Sequence, residues 1–218
     1  MKTYHFPILL ILLLTTACTH GPIGKVASIG WYKDYDIPAK EALTDTQYIP
    51  NLIQALNDKN NRIAMYSALA LGKLGTKAES SLPALAEVAL SDRILEVRME
   101  AIKSLVLVGK EHLIMTNTLS EIMLNGRPGK IRVSAARALT MLGPSAAPAV
   151  PALTEALESR YHKVRNYAAK SLAYIGPPAA DALPTLERVA MVDERKTIQD
   201  SAKEAIRRIT YEERHPQE

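Results

Sequence analysis

Side chains that could act as nucleophiles or metal ligands are few in this chain of 218 residues. Its one cysteine is Cys18, and a thiolate can serve as a nucleophile or a metal ligand. Histidine, the commonest metal ligand, occurs at His5, His20, His112, His162 and His215. These histidines lack the spacing of a metal motif, and neither a glycine-rich phosphate loop nor a Gly-x-Ser-x-Gly string is found. We therefore predict no cofactor, no metal site and no catalytic residue, while a triad assembled from distant residues stays open.

Cys18 follows a segment with the composition of an export signal. The segment has Lys2 near its start, an apolar run from Pro7 to Leu14, and small residues directly before the cysteine. Because this apolar run is too short to span a membrane as a mature helix, we predict a cleaved signal peptide over residues 1–17. A single cysteine also excludes an intramolecular disulfide.

Residues 14–18, Leu-Thr-Thr-Ala-Cys, resemble the lipobox of bacterial lipoproteins, with Thr15 in the place where the strongest form has leucine. In that family, signal peptidase II cuts before a cysteine that becomes diacylated on sulfur. The resemblance implies a lipid on Cys18, followed by a tether or N-terminal cap over 18–44. Thr19 resembles the outer-membrane sorting pattern, which favours the periplasmic face of that membrane in a Gram-negative cell. The alternative is an ordinary signal peptide that leaves Cys18 as a spare thiol.

The charge balance is mildly basic. Lys and Arg number 27 against 23 Asp and Glu, a formal net charge of +4. Cleavage before Cys18 would remove Lys2 and no acid, which leaves 26 basic against 23 acidic residues, about +3. Nucleic-acid binding would require stronger clustering of positive charge, so we predict no nucleic-acid partner.

A pattern of residues recurs about every 34 residues through most of the chain. Its closing residues are Gly75, Gly109, Gly143, Gly176 and Thr210, at intervals of 34, 34, 33 and 34. A fixed period of this size is typical of solenoids built from stacked helix pairs. We predict an all-α solenoid of about five helix pairs over residues 45–210 and a polar tail over 211–218.

Each unit has the apolar pattern of two amphipathic helices. The first helix carries a leucine at Leu52, Leu85, Leu119, Leu153 or Leu186. The second has apolar residues at i, i+4, i+8 and i+11, as in Val97, Ala101, Leu105 and Val108. A small residue recurs at Ser67, Ala101, Ala135, Ala168 and Ala202. Small side chains here would let neighbouring second helices approach closely, and the closing glycine suits the left-handed residue that ends a helix.

Particular strings decide between repeat families of similar length. The period alone also fits tetratricopeptide and ankyrin repeats, but the residue patterns of those families are missing. Instead, Leu-Pro-Ala-Leu at 82–85 and Val-Pro-Ala-Leu at 150–153 are each followed by Val-Arg and an alanine. These strings resemble HEAT repeats of the short bacterial type. The resemblance implies a right-handed α-solenoid whose second helices line the concave surface.

HEAT families usually pair the arginine after the valine with an aspartate of a nearby turn, which forms a ladder. The residues that match are Asp92, Arg98, Arg132 and Arg165. Asp92 lies six residues before Arg98, whereas Gly126 and Ser159 hold the corresponding places in the next two units. The resemblance therefore implies an incomplete ladder with a structural role.

One outward position of the second helices is basic in three consecutive units. At 100° per residue from Val97, Lys103 lies at roughly 240°, away from the core. The equivalent residues of the next two units are Arg137 and Lys170. We expect this basic row to contact an acidic protein segment or an anionic envelope polymer; the alternative is a solvated helix face. Packing at the core edge is expected of Tyr66, Tyr167 and Tyr174.

Together these features favour a non-catalytic, lipid-anchored scaffold or adaptor that binds a protein of unknown identity in the bacterial envelope. The basic row favours an acidic protein. One alternative is a metal-dependent or lyase-type enzyme of the HEAT-like superfamily. Deoxyhypusine hydroxylase resembles this architecture and binds two irons through repeated His-Glu pairs, which this chain lacks. Bilin lyases are another such class. A purely structural spacer is the third reading.

Overall fold

Five consecutive helix pairs make up the described part of the chain. The computed structural model describes residues 44–91, 93–109 and 112–214, with side chains through 211. The first helices are α1 (Ile49–Ala55), α3 (Leu82–Leu90), α5 (Leu113–Asn125), α7 (Val150–Ala156) and α9 (Leu183–Val192). The second helices are α2 (Asn61–Leu74), α4 (Leu95–Val108), α6 (Gly129–Leu142), α8 (His162–Ile175) and α10 (Lys196–Arg214). These ranges contain no strand, and the predicted all-α solenoid is confirmed.

The starts of the first helices follow from local sequence. Proline occupies the first or second helical position at Pro50, Pro83, Pro151 and Pro184. Its fixed φ suits the first turn, where its missing N–H would have no partner within the helix. α5 begins without proline, and the backbone N–H of Ile114 donates to Nδ1 of His112 over 3.4 Å.

Three second helices end at a glycine in the left-handed region. The φ angles are +60° at Gly75, +55° at Gly143 and +73° at Gly176, a region that favours glycine. Gly109 has φ −105°, so the expectation of a left-handed residue is wrong there. A Cβ at Gly109 would lie 2.7 Å from Cδ2 of Leu82, and close packing explains the glycine instead.

The last helix runs past the predicted end of the solenoid. Thr210 takes the place of the closing glycine, and α10 continues through Arg214 into the segment predicted as a tail. Because threonine is a poor left-handed residue, no helix-ending signal operates at this position. None of the helices in the described ranges is both long and apolar enough to cross a membrane.

The core is a continuous row of side chains between the two sets of helices. The five first-helix leucines predicted to face inward are fully buried. The second-helix set Val97, Ala101, Leu105 and Val108 is buried as well. The row of small residues is also buried, and these residues are Ser67, Ala101, Ala135, Ala168 and Ala202. Each unit therefore buries its apolar faces against its neighbours, as a solenoid requires.

Second helices of adjacent units also share side-chain hydrogen bonds. Oγ of Ser104 on α4 donates to the carbonyl oxygen of Ala68 on α2 over 2.7 Å. Between α6 and α8, the hydroxyl oxygens of Thr140 and Ser171 are 2.7 Å apart. Because these hydroxyls are satisfied within the helix contact, polar residues pack there without the cost of an unpaired buried group. The second helices consequently form a closely packed layer with one side exposed.

Candidate functional site

An open groove of about 320 Å³ runs between α4 and α6 on the exposed side of the second helices. We call it the α4–α6 groove. Its floor is apolar and includes Met99, Ile102, Val106 and Ala138. Lys103 and Arg137 line the same groove. Two of the three residues predicted to form the basic row are therefore brought together around an apolar surface.

The basic row is exposed, and its members differ in their partners. Lys103 is 62% exposed, and its Nζ lies 2.8 Å from Oε2 of Glu100 on the same helix. Arg137 and Lys170 are exposed, and neither forms an ion pair within the described ranges. Lys170 lies on α8, one unit beyond the α4–α6 groove. The row thus offers two cations that bind no carboxylate of the described chain.

A second exposed row, which is apolar, follows the basic row one helical turn later. Its residues are Leu107, Met141 and Tyr174, with 56%, 70% and 49% of their surface exposed. Each comes four residues after a basic-row residue, and residues at i and i+4 lie side by side on a helix. Because Tyr174 is about half exposed, the expectation that it packs at the core edge is wrong. The centre of its ring lies 5.3 Å from the guanidinium carbon of Arg208.

The second helices α6 and α8 differ in charge from the first helices α3, α5 and α7. α6 and α8 contain no acidic residue, and their cations are Lys130, Arg132, Arg137, Lys163, Arg165 and Lys170. The first helices α3, α5 and α7 each carry one exposed glutamate and no basic residue; these are Glu87, Glu121 and Glu155. The exposed side of α6 and α8 is therefore positive relative to the opposite side of the solenoid.

The arginines predicted to form a ladder lie at the turns between paired helices. Nε of Arg98, which is buried, donates to the carbonyl oxygen of Ala89 over 3.0 Å, and its Nη1 donates to that of Arg127 over 2.6 Å. Arg132 donates from Nε to the carbonyl oxygen of Gly126 over 2.8 Å and from Nη1 to that of Leu124. Each guanidinium thus binds backbone carbonyls at the end of a first helix.

These arginines also reach the turn of the following unit. The carbonyl of Arg127 that binds Arg98 belongs to the next unit, and the guanidinium of Arg132 lies 5.4 Å from the ring centre of Tyr161. Arg165 donates from Nε to Oδ2 of Asp193 over 2.7 Å and from Nη2 to Oδ1 over 3.2 Å. Its Nη1 donates to the carbonyl oxygen of Ser159 over 2.9 Å.

The acidic partner of Arg165 therefore comes from the following unit. The position six residues before the arginine, where an aspartate was expected, supplies a backbone carbonyl instead. Gly126 and Ser159 both hold that upstream position. A backbone carbonyl accepts the same hydrogen bond without an acidic side chain, so the glycine and serine serve in place of aspartate. Asp92 lies outside the described residues.

The Arg165–Asp193 pair is charged at neutral pH. Burial on its own would raise the pKa of Asp193, but hydrogen bonds from Arg165 and from the backbone N–H of Arg195 outweigh it, and the pKa lies below its ordinary value. The hydrogen bond to Asp193 raises the pKa of Arg165. With only 12% of Arg165 and 5% of Asp193 exposed, this pair joins two units in a largely buried setting.

The residues considered for metal or nucleophilic chemistry are spread apart. His112 lies at the start of α5, and its Nε2 is 3.6 Å from Oε1 of Glu79; His162 is exposed at the start of α8. Within the described ranges, no group of three or more His, Cys, Asp or Glu side chains could hold a metal ion. Cys18 and the predicted signal peptide lie outside the described residues.

Comparison with known proteins agrees with this architecture. The fold is similar to that of an engineered protein, at 20% identity over 92% of this chain and 95% of that one, with a TM-score of 0.57. It is similar to one chain of the complex of CpcE and CpcF of phycocyanin lyase from Nostoc sp. PCC7120, at 18% identity over 74% of this chain and 99% of that one, with a TM-score of 0.54. A designed armadillo repeat protein in complex with the peptide (KR)4 has 15% identity over 86% and 98%, with a TM-score of 0.54.

At these identities the likeness to solved structures shows the fold alone. No curated protein matches the chain. The model of one sequence family, described as HEAT repeats, matches residues 38–106 and 116–207, which is most of the chain. The same residues contain the helix pairs and the turn arginines described above, and the chain belongs to the HEAT-repeat family.

Proposed function

We propose that this protein is a non-catalytic HEAT-repeat scaffold that binds a protein partner on the exposed side of α4, α6 and α8. A lipid on Cys18 would anchor it to a bacterial envelope membrane, with the periplasmic face of the outer membrane as the favoured location in a Gram-negative cell. The observation that carries the binding role is the α4–α6 groove, where an apolar floor lies beside Lys103 and Arg137.

Exposed apolar side chains support a binding role for this surface. Leu107 and Met141 both line the α4–α6 groove and are more than half exposed. Clusters of large apolar side chains rimmed by polar groups are typical of interaction sites, because contact with a partner removes them from water. Leu107 and Met141 would then supply the anchor side chains at the centre of the interface.

The cations support a partner of negative charge. Arg137 and Lys170 would give up no ion pair of the described chain on binding a carboxylate. Lys103 is largely exposed, and its pair with the partly buried Glu100 is worth about 1 kcal/mol, so a partner carboxylate can compete with Glu100 for Lys103. Complementary charge raises the rate of encounter and selects among partners.

One solved neighbour shows that a stacked helical repeat of this kind can hold a peptide. The designed armadillo repeat protein is recorded in complex with a peptide of lysine and arginine, (KR)4. On α6 and α8 of this chain the charges are positive, which suits a peptide of the opposite charge.

Reversing the charge of Lys103, Arg137 and Lys170 to glutamate should weaken partner capture at least about tenfold, because three attractive contacts become repulsive. We would place a photocrosslinking residue at Ser134, which lines the α4–α6 groove, in the full chain in intact cells and measure the crosslinked partner. A matched control reverses Lys59, Lys77 and Arg127, which are exposed and lie between the α-helices. Equal capture by both triple variants would contradict the binding role and favour a structural spacer.

Lipidation of Cys18 has its own test. A fatty-acid analogue fed to the cells should label the full-length protein, and Cys18→Ala should abolish the label because the acylated sulfur is gone. Labelling that persists in Cys18→Ala would refute the anchor at this residue.

The enzyme alternative is represented by one structural neighbour, a chain of the complex of CpcE and CpcF of phycocyanin lyase. At 18% identity this likeness carries only the fold. A lyase or metal enzyme would retain chromophore or stoichiometric metal on purification, which an absorption spectrum and elemental analysis would detect.

A further inference from the structure

We propose that the partner segment bound by α4, α6 and α8 is an acidic amphipathic helix that lies across the three second helices. This inference rests on the proposed function and specifies the chemistry of the partner at that same surface. The basic row and the apolar row together carry it, because each second helix from α4 to α8 presents both.

The two rows are parallel and adjacent. Within each helix the cation precedes the large apolar residue by four positions, as in Lys103 and Leu107 or Arg137 and Met141. Residues four apart on a helix are neighbours about 5–6 Å apart on the same face. A partner that crosses the three helices therefore meets a line of apolar side chains with a line of cations along one flank.

The spacing of the units favours a helix over an extended strand. Packed helices lie about 8–10 Å apart, so successive residues of the apolar row should recur at about that distance. Seven residues of α-helix rise about 10.5 Å and return to nearly the same side. In an extended strand, residues i and i+3 are also about 10 Å apart, but their side chains point to opposite faces. A helix with apolar residues seven apart matches the row.

Charge complementarity indicates that one side of the partner helix is acidic. α6 and α8 contain no acidic residue, and Arg137 and Lys170 form no ion pair within the described ranges. Carboxylates on one side of the partner helix would lie over these cations while its apolar residues contact Met141 and Tyr174. The same partner with basic side chains would be repelled.

The surface changes character at the last unit, which limits the length of the partner helix. Glu204 takes the basic-row position on α10 and accepts hydrogen bonds from Arg207 and Arg208. These hydrogen bonds lower the pKa of Glu204 to about 2, so Glu204 is charged at neutral pH and keeps both arginines paired. The basic-row position on α10 therefore supplies no cation to a partner carboxylate. The partner helix should therefore extend over units two to four and no further.

Three labelled synthetic peptides test the inference against the purified full-length chain by fluorescence anisotropy. The first is a helix with leucines seven residues apart and glutamates along one flank. The second has the same composition in scrambled order, and the third has lysine in place of glutamate. The first should bind at least about tenfold more tightly than the other two, because only it matches both rows.

A double variant locates the binding site. Leu107→Ser with Met141→Ser should weaken binding of the first peptide about tenfold or more, because two apolar anchors are lost. Leu113→Ser with Met191→Ser is the matched control, since both side chains are exposed but lie on first helices. Binding of the first peptide should be unchanged in this control.

Several outcomes would overturn the inference. Equal binding of the scrambled peptide would mean that charge alone acts, and tighter binding of the lysine peptide would reverse the assigned charge. Binding to phosphatidylglycerol vesicles in place of the first peptide would indicate a membrane surface. If the Ser134 crosslink captures a partner and the first peptide does not bind, only the inference falls. If the crosslink captures nothing, the proposed function falls.

Discussion

Arg165→Ala should lower the free energy of unfolding at neutral pH by about 3–5 kcal/mol, the cost of removing one partner from a buried ion pair. The guanidinium binds both carboxylate oxygens of Asp193 and the carbonyl oxygen of Ser159. Its removal leaves Asp193, with 5% of its side chain exposed, as a buried charge without its bidentate arginine. Urea denaturation followed by circular dichroism would measure the loss.

The same variant should change how stability depends on pH. In the native protein the pKa of Asp193 lies below its unfolded value of about 3.9, so the pair stabilises fully above that value. This contribution is lost as pH falls through the folded pKa. In Arg165→Ala the hydrogen bond from the guanidinium that lowers the pKa of Asp193 is lost, so the pKa of Asp193 should be higher than in the native protein. The stability difference between the two proteins should therefore be largest at neutral pH and shrink below about pH 4.

A second arginine of the same region supplies the control for Arg165→Ala. Arg188 pairs with Glu158, but both side chains are about half exposed. Because exposed pairs contribute about 0–1 kcal/mol, Arg188→Ala should change stability little and leave its pH dependence as it is. Equal losses of unfolding free energy in Arg165→Ala and Arg188→Ala would contradict the prediction, because they would mean that burial does not strengthen the Arg165–Asp193 pair.

The fold could be predicted because the repeat fixes which positions are buried. One amphipathic phase, read from Val97, Ala101 and Leu105, recurs at a constant period, and all of these side chains are buried. The exceptions occur where a single residue departs from the repeat. Thr210 replaces the closing glycine, and α10 runs on to Arg214.

The surface could be predicted only in part, because exposure depends on how units stack. Lys103, Arg137 and Lys170 point away from their own core, and helical phase alone identifies them. Leu107 lies at roughly 280° in the same phase, between the outward position at about 240° and the buried set that begins at Val97, so the phase does not decide whether its side chain is exposed. Whether such a side chain is covered depends on where the second helix of the next unit lies. The helical phase of a single helix gives no information about that position.

The acidic partner of Arg165 was missed for a similar reason. Asp193 lies 28 residues further along the chain, in the turn of the following unit. A search within one repeat finds only Ser159, whose backbone carbonyl, not its side chain, binds the arginine. Spacing within a repeat predicts contacts within the unit, while contacts between units require the stacking geometry.

Leu119→Ala should be the second large effect, lowering the free energy of unfolding by about 2–5 kcal/mol. Leu119 is fully buried on α5 in the central unit, so truncation leaves a cavity that the surrounding helices only partly fill. Leu113→Ala is a matched control on the same helix, since that side chain is 52% exposed and its loss should change stability by about 0.5 kcal/mol or less.

The central position of Leu119 makes a second consequence of the same variant measurable. Stability in a solenoid is approximately a sum of unit and nearest-neighbour terms, so a weakened third unit couples units one and two less tightly to units four and five. Hydrogen exchange of Leu119→Ala should therefore show the two ends opening independently, with the largest loss of protection in α5 and α6. A uniform loss of protection along all five units would contradict nearest-neighbour coupling, because it would require the chain to unfold as one cooperative body.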